Sequence, residues 1–414
     1  MEMLFCAAIV VALGGLSTFA FLRTRDPLSP AGIQSAIWFL IMLLHFILPH
    51  GLYELSLRVS LVVLCGAVMF SLGVFAFSDR ANQRQVVPPN LMGSGFEANP
   101  ILRRIIVYLP IVGLPFMYQR ALQIAALTPI TDSTYVNLRF ALTEEGMGHS
   151  SVSFGLIGYV VPVCYAAVLV ELVCSRRTWF ERRGWTVFVV SLAYGVISTG
   201  RTYFLLVLLS VTGVIITYGR ARVARLAPTA FAALLLVYFA IGSALDKLSL
   251  GNSLGDDSLA GALQTFSVYM LGGVTAFDQV SGTVDMWALS GENTFRTFFA
   301  VLSSMGFNVE VVRKVKEYIF IPEPTNVYSV FYPYANDFGL IGAVLMMFVL
   351  GAMHGVLRRG ALRGDPRFVI LNGFALYPLA MQFFQDQYVS LLTIWIILLA
   401  IVFAVIRPIP EAKL

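Results

Sequence analysis

Runs of apolar residues close to twenty long recur along this chain, and short polar connections separate most of them. Eleven such runs are found, at 4–22, 31–50, 57–77, 105–125, 153–174, 185–199, 202–218, 228–245, 337–357, 368–386 and 389–406. Each suits a helix that crosses a bilayer. The pattern therefore predicts an all-α polytopic membrane protein with about eleven transmembrane helices, ten to twelve being compatible with it. The regularity fails once. From Asp246 to Asn336 charge, aromatic residues and prolines are mixed, and the stretch ends in Thr325-Asn326-Val327-Tyr328 and Asn336-Asp337-Phe338-Gly339. The chain divides into helices 1–8 with short loops (1–245), one long loop (246–336), and helices 9–11 with a short tail (337–414).

Inside the long loop helical spacing persists. Leu259, Leu263, Phe266, Met270 and Phe277 recur at helical intervals, as do Phe295, Phe298, Phe299, Leu302 and Met305. Each set predicts an amphipathic helix on the bilayer or against the bundle, serving to fold the loop or to wall a lipid-linked substrate. Pro322 and Pro324 interrupt regular structure before the re-entry. In the connection 78–104, Gly93-Ser94-Gly95-Phe96-Glu97-Ala98 matches a dinucleotide fingerprint in letters only, because no strand–helix–strand unit fits around it.

Composition fixes the class. Hydrophobic residues make up 58% of the chain and charged residues 12%, with a mean hydropathy of +0.80. Soluble domains carry about 25% charged residues, so a water-soluble fold is excluded. Charge then sets the orientation. With the first N-terminus outside, the inside connections hold Arg23 and Arg25; Arg80, Arg84, Arg103 and Arg104; Arg176, Arg177, Arg182 and Arg183; Arg220, Arg222 and Arg225; Arg358, Arg359, Arg363 and Arg367; and Arg407 and Lys413. Every inside connection is basic, as the positive-inside rule expects, and the long loop falls outside. The net charge of +5 follows from this topology and gives no reason to expect nucleic acid. The first helix lacks a basic lead-in and a small-residue cleavage site, so it is expected to remain as a span. Cys6, Cys65, Cys164 and Cys174 lie in apolar segments without metal-type spacing and read as small buried hydrophobes.

Charges close to the bilayer are costly and call for a reason. Arg120 lies about one turn inside the outer end of the fourth span. Arg139 sits in the following outside loop. Arg201 stands in Ser198-Thr199-Gly200-Arg201-Thr202, a very short turn between two spans, and Arg296 lies between the two amphipathic runs. Snorkelling and ion pairing account for such residues in general. A long cation beside a glycine and two hydroxyls also suits an anion site, which is the reading for Arg201. Of opposite sign are Asp337, at the mouth of the ninth span, and Asp386, at the outer end of the tenth. Asp337 suits either a proton-accepting role or a helix cap. His149 reads as a solvated loop residue, His45 as a buried hydrogen-bonded group, and His354 lies toward the inner end of the ninth span. No His/Cys/carboxylate motif with metal spacing occurs on the outer face, and Asp256-Asp257 make a poor clamp, so neither metal nor cofactor is expected.

Outside the membrane no nucleotide is normally supplied. A transferase there needs a donor carrying its own activation, and a lipid pyrophosphate sugar is one. Arginines suit its departing pyrophosphate, because their forked donors match phosphate oxygens and stay charged when buried. A carboxylate at the cavity mouth would take the proton of the acceptor hydroxyl. Tyr328, Phe331, Tyr332 and Tyr334 suit either sugar stacking or an interfacial aromatic belt.

The pattern Asn326-Val327-Tyr328, eight further residues, then Asp337-Phe338-Gly339 and Gly342 resembles the oligosaccharide repeat-unit polymerases, the O-antigen polymerase (Wzy-type) family of bacterial inner membranes. The segment Ser198–Thr202 and the pair Leu138-Arg139 are similar to that family as well. The resemblance implies a fold like the C-type glycosyltransferases, specifically the O-antigen ligase branch. It implies undecaprenyl-pyrophosphate-linked oligosaccharide as both donor and acceptor, no nucleotide, no metal or other cofactor, and a site facing the periplasm. A chain-length regulator is a candidate partner beside membrane lipid. On this reading Arg201, Arg139, Arg296 and Arg120 bind pyrophosphate, Asn326, Tyr328, Tyr332 and Tyr334 bind sugar, and Asp337 or Asp386 is catalytic. One family pattern is missing. Some members carry an arginine with a glycine eleven positions later, whereas Arg139 is followed there by Ser150 and Arg296 by Phe307. Two alternatives remain: an O-antigen ligase acting on lipid A core, and a flippase or other transporter of lipid-linked oligosaccharide.

Overall fold

Several helices begin where the sequence sets a capping residue before a proline. The computed structural model of the chain describes residues 2–26, 28–78, 95–146, 152–175, 180–217, 259–313 and 315–409. Within them Ser29 precedes Pro30 and accepts from Gly32 N, Asn99 precedes Pro100 and accepts from Ile101 N and Leu102 N, and Asp365 precedes Pro366 and accepts from Arg367 N. Proline's fixed φ suits the first turn, and the capping oxygen satisfies N–H groups that have no intrahelical partner.

The described helices are α1 (Glu2–Thr24), α2 (Pro30–Ile47), α3 (Leu57–Phe77), α4 (Pro100–Leu127), α5 (Thr134–Gly146), α6 (Val160–Cys174), α7 (Arg182–Ile197), α8 (Arg201–Thr217), α9 (Leu259–Ser281), α10 (Arg296–Ser304), α11 (Phe331–Leu362), α12 (Pro366–Ala380) and α13 (Leu392–Val405). Strands are few: β1 (Phe96–Ala98) pairs antiparallel with β4 (Ile406–Pro408), and β2 (Ile319–Phe320) with β3 (Pro324–Thr325). Among the described residues six helical segments are long and apolar enough to cross a membrane: Leu4–Thr24, Pro30–Ile47, Leu57–Phe77, Pro100–Leu127, Gly155–Cys174 and Phe331–Leu362. Four other predicted spans correspond to the shorter helices α7, α8, α12 and α13. The predicted span 228–245 lies outside the described residues, as do His149, Asp256-Asp257 and the basic residues at 80, 84, 176, 177, 220, 222, 225 and 413.

The ninth span departs from expectation. α11 starts at Phe331, ahead of the predicted 337, and its backbone breaks at Gly339, where φ is +72° and ψ 177°. A side chain placed on Gly66 of α3 would meet Phe331 Cε1 at 2.5 Å and Met347 Cγ at 3.4 Å. In one straight helix positions 331 and 347 would stand about 24 Å apart, too far for both side chains to reach one point. The chain therefore folds back at Gly339. Residues 331–338 form a short arm beside the start of a long arm, 340–362, and the Phe338 Cβ crowds Gly342. The long arm alone measures about 34 Å and is still long enough to span a bilayer. Phe331 is fully buried at the level of Gly66, about 14 Å along α3 from its start.

Backbone this deep needs hydrogen-bond partners. Ser329 N donates to Gly273 O and Val330 N to Gln382 O, both at 2.9 Å. The tenth predicted span also changes: α12 ends at Ala380, and residues 381–391 continue as buried and half-buried turns that carry Asp386. Phe384 O lies 2.8 Å from where a Gly273 side chain would stand. Two non-helical segments thus meet at α9.

Neither Gly339 nor Gly342 joins α11 to another helix. At Gly339 a side chain would strike the backbone of Trp287 at 2.5 Å. Close helix contact occurs instead at Gly73 and Gly351, where α3 and α11 touch backbone to backbone, and at Gly213 and Gly373 between α8 and α12. Cys164 and Cys174 are buried as expected, but Cys65 is exposed on α3 and Cys6 partly so, since a lipid-facing thiol needs no partner.

The two ends of the bundle differ. At one end Arg103 pairs with Glu171 at 2.5 Å, Arg358 with Asp26 at 2.6 Å, and β1 pairs with β4. Arg367, ion-paired with Asp365, also covers the rings of Phe96 and Phe403. This end gathers the described basic connections. At the other end α9 packs on α2 and α3: Thr275 Oγ1 lies 3.4 Å from His45 Nε2, Ser56 N donates to Asp278, and Arg58 donates to Val284 O. Met270 and Phe277 are buried there and Phe266 half-buried, so the first amphipathic run packs against the bundle. The second, α10, buries none of its residues.

Candidate functional site

The fold-back at Gly339 sets Asp337 on the short arm where the chain turns. Its side chain does not cap its own helix. It reaches across to the loop after α9. Oδ1 accepts from Asn293 N at 3.0 Å, Asn293 Nδ2 at 2.9 Å and Ser290 Oγ at 3.4 Å, and Oδ2 accepts from Thr294 N at 2.6 Å. Its backbone carbonyl accepts from Ser290 N. Past the break, Leu340 N and Ile341 N donate to Asp285 O and Met286 O, so the same loop closes the new helix start. Asp337 is 0% exposed, and a buried carboxylate is tolerable because four donors surround it.

Asn293 passes the arrangement on. Its Oδ1 accepts from Lys316 Nζ at 2.5 Å. The ammonium also stands 5.5 Å from the Tyr332 ring centroid. Burial pushes the Lys316 amine down to about 8; the Asp337 carboxylate works against this, Arg296 reinforces it and Asp386 opposes it. Lys316, Asp337, Asp386 and Arg296 therefore share one electrostatic neighbourhood. Beside Asn293, the Thr294 hydroxyl is buried without a hydrogen-bond partner.

Asp386 lies deeper. Its Oδ1 accepts from Tyr334 Oη at 2.9 Å and Tyr388 N at 3.2 Å, and its Oδ2 from the backbone and hydroxyl of Ser390. A polar chain continues inward: Tyr388 Oη meets His354 Nε2 at 2.9 Å and accepts from Gln382 Nε2, while Gln382 Oε1 accepts from Trp38 Nε1. His354, toward the inner end of the predicted ninth span, is thus linked to the Asp386 segment, because residues 381–391 descend to meet it.

The four sugar-binding candidates take different places. Tyr328 and Tyr332 stack with centroids 4.2 Å apart, and Tyr328 Oη donates to Glu317 O. Burial pushes the Tyr328 phenol up to about 12. Tyr334 is fully buried on Asp386, which leaves it no face for a sugar, whereas Asn326 is half-buried in the segment leading to Tyr328.

The arginine candidates fall into two groups. Arg120 donates to Ser153 O and Gln123 Oε1, and Arg139 lies half-buried on α5. Their helices share a small apolar cluster of Ala121, Ile124, Ala125, Leu138 and Ala141, against which Ile197 packs. Ile197 leads into the turn before Arg201, where Thr199 adopts φ +53°. This turn therefore lies near Arg120 and Arg139; the Arg201 side chain is outside the described residues. Arg296 belongs with Lys316, and its Nε donates to Val312 O at 2.6 Å.

Sequence reasoning missed Asn293, Thr294 and the role of Lys316. The signal available was slight: polar residues after Gly291 and one lysine among several loop charges. Among the described residues no group of three or more His, Cys, Asp or Glu is placed to hold a metal ion. Comparison with protein-family models, curated proteins and solved structures finds no match for this chain.

Proposed function

We propose that the protein is a membrane glycosyltransferase that polymerises lipid-linked oligosaccharide repeat units. It would move the growing glycan from undecaprenyl pyrophosphate to a sugar hydroxyl of the next lipid-linked unit. The observation that carries this reading is the grouping of Lys316, Arg296, Asp337 and the stacked pair Tyr328–Tyr332 where the long arm of α11 begins. Cations offer charge neutralisation to a departing pyrophosphate, and paired aromatic rings offer a platform for sugar. The turn at Arg201, with Arg120 and Arg139 near it, supplies a second cationic neighbourhood for the other lipid-linked substrate. Each carboxylate is held by four donors, but Asp337 Oδ2 accepts only one of its set and could still take the acceptor proton, whereas Asp386, with two donors on each oxygen, would first have to release one. The reading places the site at the periplasmic face of a bacterial inner membrane, in O-antigen or related polysaccharide synthesis, with a chain-length regulator as a candidate partner.

The test is extension of a defined undecaprenyl-pyrophosphate-linked repeat unit by the purified protein. A ladder of products is expected. Transfer to lipid A core without a ladder would make it a ligase. A second reading, transport of lipid-linked oligosaccharide, draws on one observation: a short helical arm and an ionisable Asp386 buried well inside the bundle, as in transporters with interrupted helices. Flipping of a labelled lipid-linked oligosaccharide in reconstituted vesicles, with no extension, would select it.

A further inference from the structure

Lys316 was not among the residues expected to bind pyrophosphate, and its surroundings give it that part. We infer that Lys316 binds a phosphate oxyanion, that Asn293 aims its ammonium, and that Asp337 acts as a positioning residue by fixing Asn293. The inference rests on the reading above for its substrate, the pyrophosphate of a lipid-linked glycan. The same chemistry occurs in a phospholipid headgroup, and the test separates the two.

The geometry runs through three side chains. Asp337 takes both the backbone N–H and the Nδ2 of Asn293, which fixes the amide and leaves its oxygen to receive Lys316. An ammonium has three donors, and the hydrogen bond to Asn293 uses one. The groups around it are the Tyr332 ring, Asp337 on the short arm, Asp386 in the turns after α12 and Arg296 at the start of α10. Neither carboxylate forms an ion pair with Lys316, because each is engaged elsewhere. Arg296 repels the ammonium, and Asp337 and Asp386 attract it without bonding to it. An oxyanion received by the two remaining donors of Lys316 would add to that attraction and hold the amine charged. The hydroxyl of Thr294, next to Asn293 in the chain, is a buried group still lacking a partner. Burial has already lowered the amine to about 8, so the unliganded site loses its charge just above neutral pH. An arginine would keep it.

The experiment measures binding of inorganic pyrophosphate, undecaprenyl pyrophosphate and phosphatidylglycerol to the purified full-length protein at pH 7 and pH 9.5. Wild-type protein should bind undecaprenyl pyrophosphate and lose affinity as the pH passes through 8. Lys316→Met should weaken binding by about tenfold or more, the scale of a charge-assisted hydrogen bond. Lys316→Arg should bind at pH 7 and keep its affinity at pH 9.5. Asn293→Ala should weaken binding less than Lys316→Met does. Wild-type affinity in Lys316→Met, or no loss of wild-type affinity at pH 9.5, overturns the inference. If Lys316→Met fails to fold, the wild-type and Lys316→Arg pH profiles decide it alone. Phosphatidylglycerol binding with the same Lys316 dependence, and no binding of either pyrophosphate, identifies the ligand as a headgroup and overturns the pyrophosphate assignment. Repeat-unit extension is scored separately. Extension with unchanged donor KM in Lys316→Met sinks this inference and spares the polymerase. Lys316-dependent pyrophosphate binding without extension by the wild type sinks the polymerase and spares the site.

Discussion

The Tyr334 hydroxyl donates to Asp386 Oδ1 over 2.9 Å, and so ties the short arm of α11 to the turns after α12. Both residues are buried. Tyr334→Phe keeps the ring and removes the donor, leaving the carboxylate three of its four. The expected cost is about 1–3 kcal/mol of stability, read as a lower thermal midpoint in detergent. An unchanged midpoint would show that the arm is held by apolar packing alone.

Asp337→Asn should destabilise the protein as well as inactivate it. At this position two oxygens accept from four donors, and an amide would point its own N–H groups at one set of them. The loss should be about 1–3 kcal/mol, the penalty for an unsatisfied buried group. Glutamine at Asn293 should not rescue it. A variant with a wild-type midpoint and no activity would return Asp337 to the role of base.

Gly339→Ala should abolish folding. The residue sits at φ +72° and faces the Trp287 backbone at 2.5 Å, so a methyl group meets both strain and collision. Gly306, at φ +92° with open space around it, is the control: Gly306→Ala should cost about 1 kcal/mol. The yield of monodisperse protein compares them. Equal yields would rule out the fold-back.

Stability should rise with pH through a Lys316-dependent term. The folded amine titrates near 8, below the ordinary lysine value of 10.5. Between these limits the unfolded chain binds a proton that the native state has released, so raising the pH favours the native state. Below pH 8 both states are protonated and the burial penalty is complete. The difference in thermal midpoint between wild type and Lys316→Met should therefore move in favour of the wild type from pH 7.5 to 9.5. A difference that does not change with pH would place Lys316 in water.

The orientation read from the basic connections can be checked at Leu289, which is 84% exposed. In a background lacking the four native cysteines, Leu289→Cys should react with an impermeant maleimide in cells with an opened outer membrane. Arg407→Cys should react only after the inner membrane is breached. The reverse pattern would invert the topology and remove the lipid-sugar argument.

Most helices were legible because apolar length and Ser, Asn or Asp before the first turn are local signals. The packing of α9 was half legible: Met270 and Phe277 showed the spacing, but spacing does not name the partner. The fold-back at Gly339 was hidden, since the apolar run continues through it and one glycine in such a run usually signals packing. The end of α12 was hidden for the same reason, as Met381, Phe383 and Phe384 read like more helix. Asp337 was legible as a charge needing explanation. Its partners were not, because Asn293 and Thr294 lie 44 and 43 positions earlier in a polar stretch without periodicity.

The pairing of Phe96–Ala98 with Ile406–Pro408 has a consequence for biosynthesis. The first of these strands leaves the ribosome before α4 is made, and its partner follows only after α13. Until then Asn99 N lacks the Val405 carbonyl it finally bonds, and Arg367 lacks Phe403 for its second ring. The early helices must wait with that end unfastened until Ile406–Pro408 is made, so a late strand closes what an early one opened.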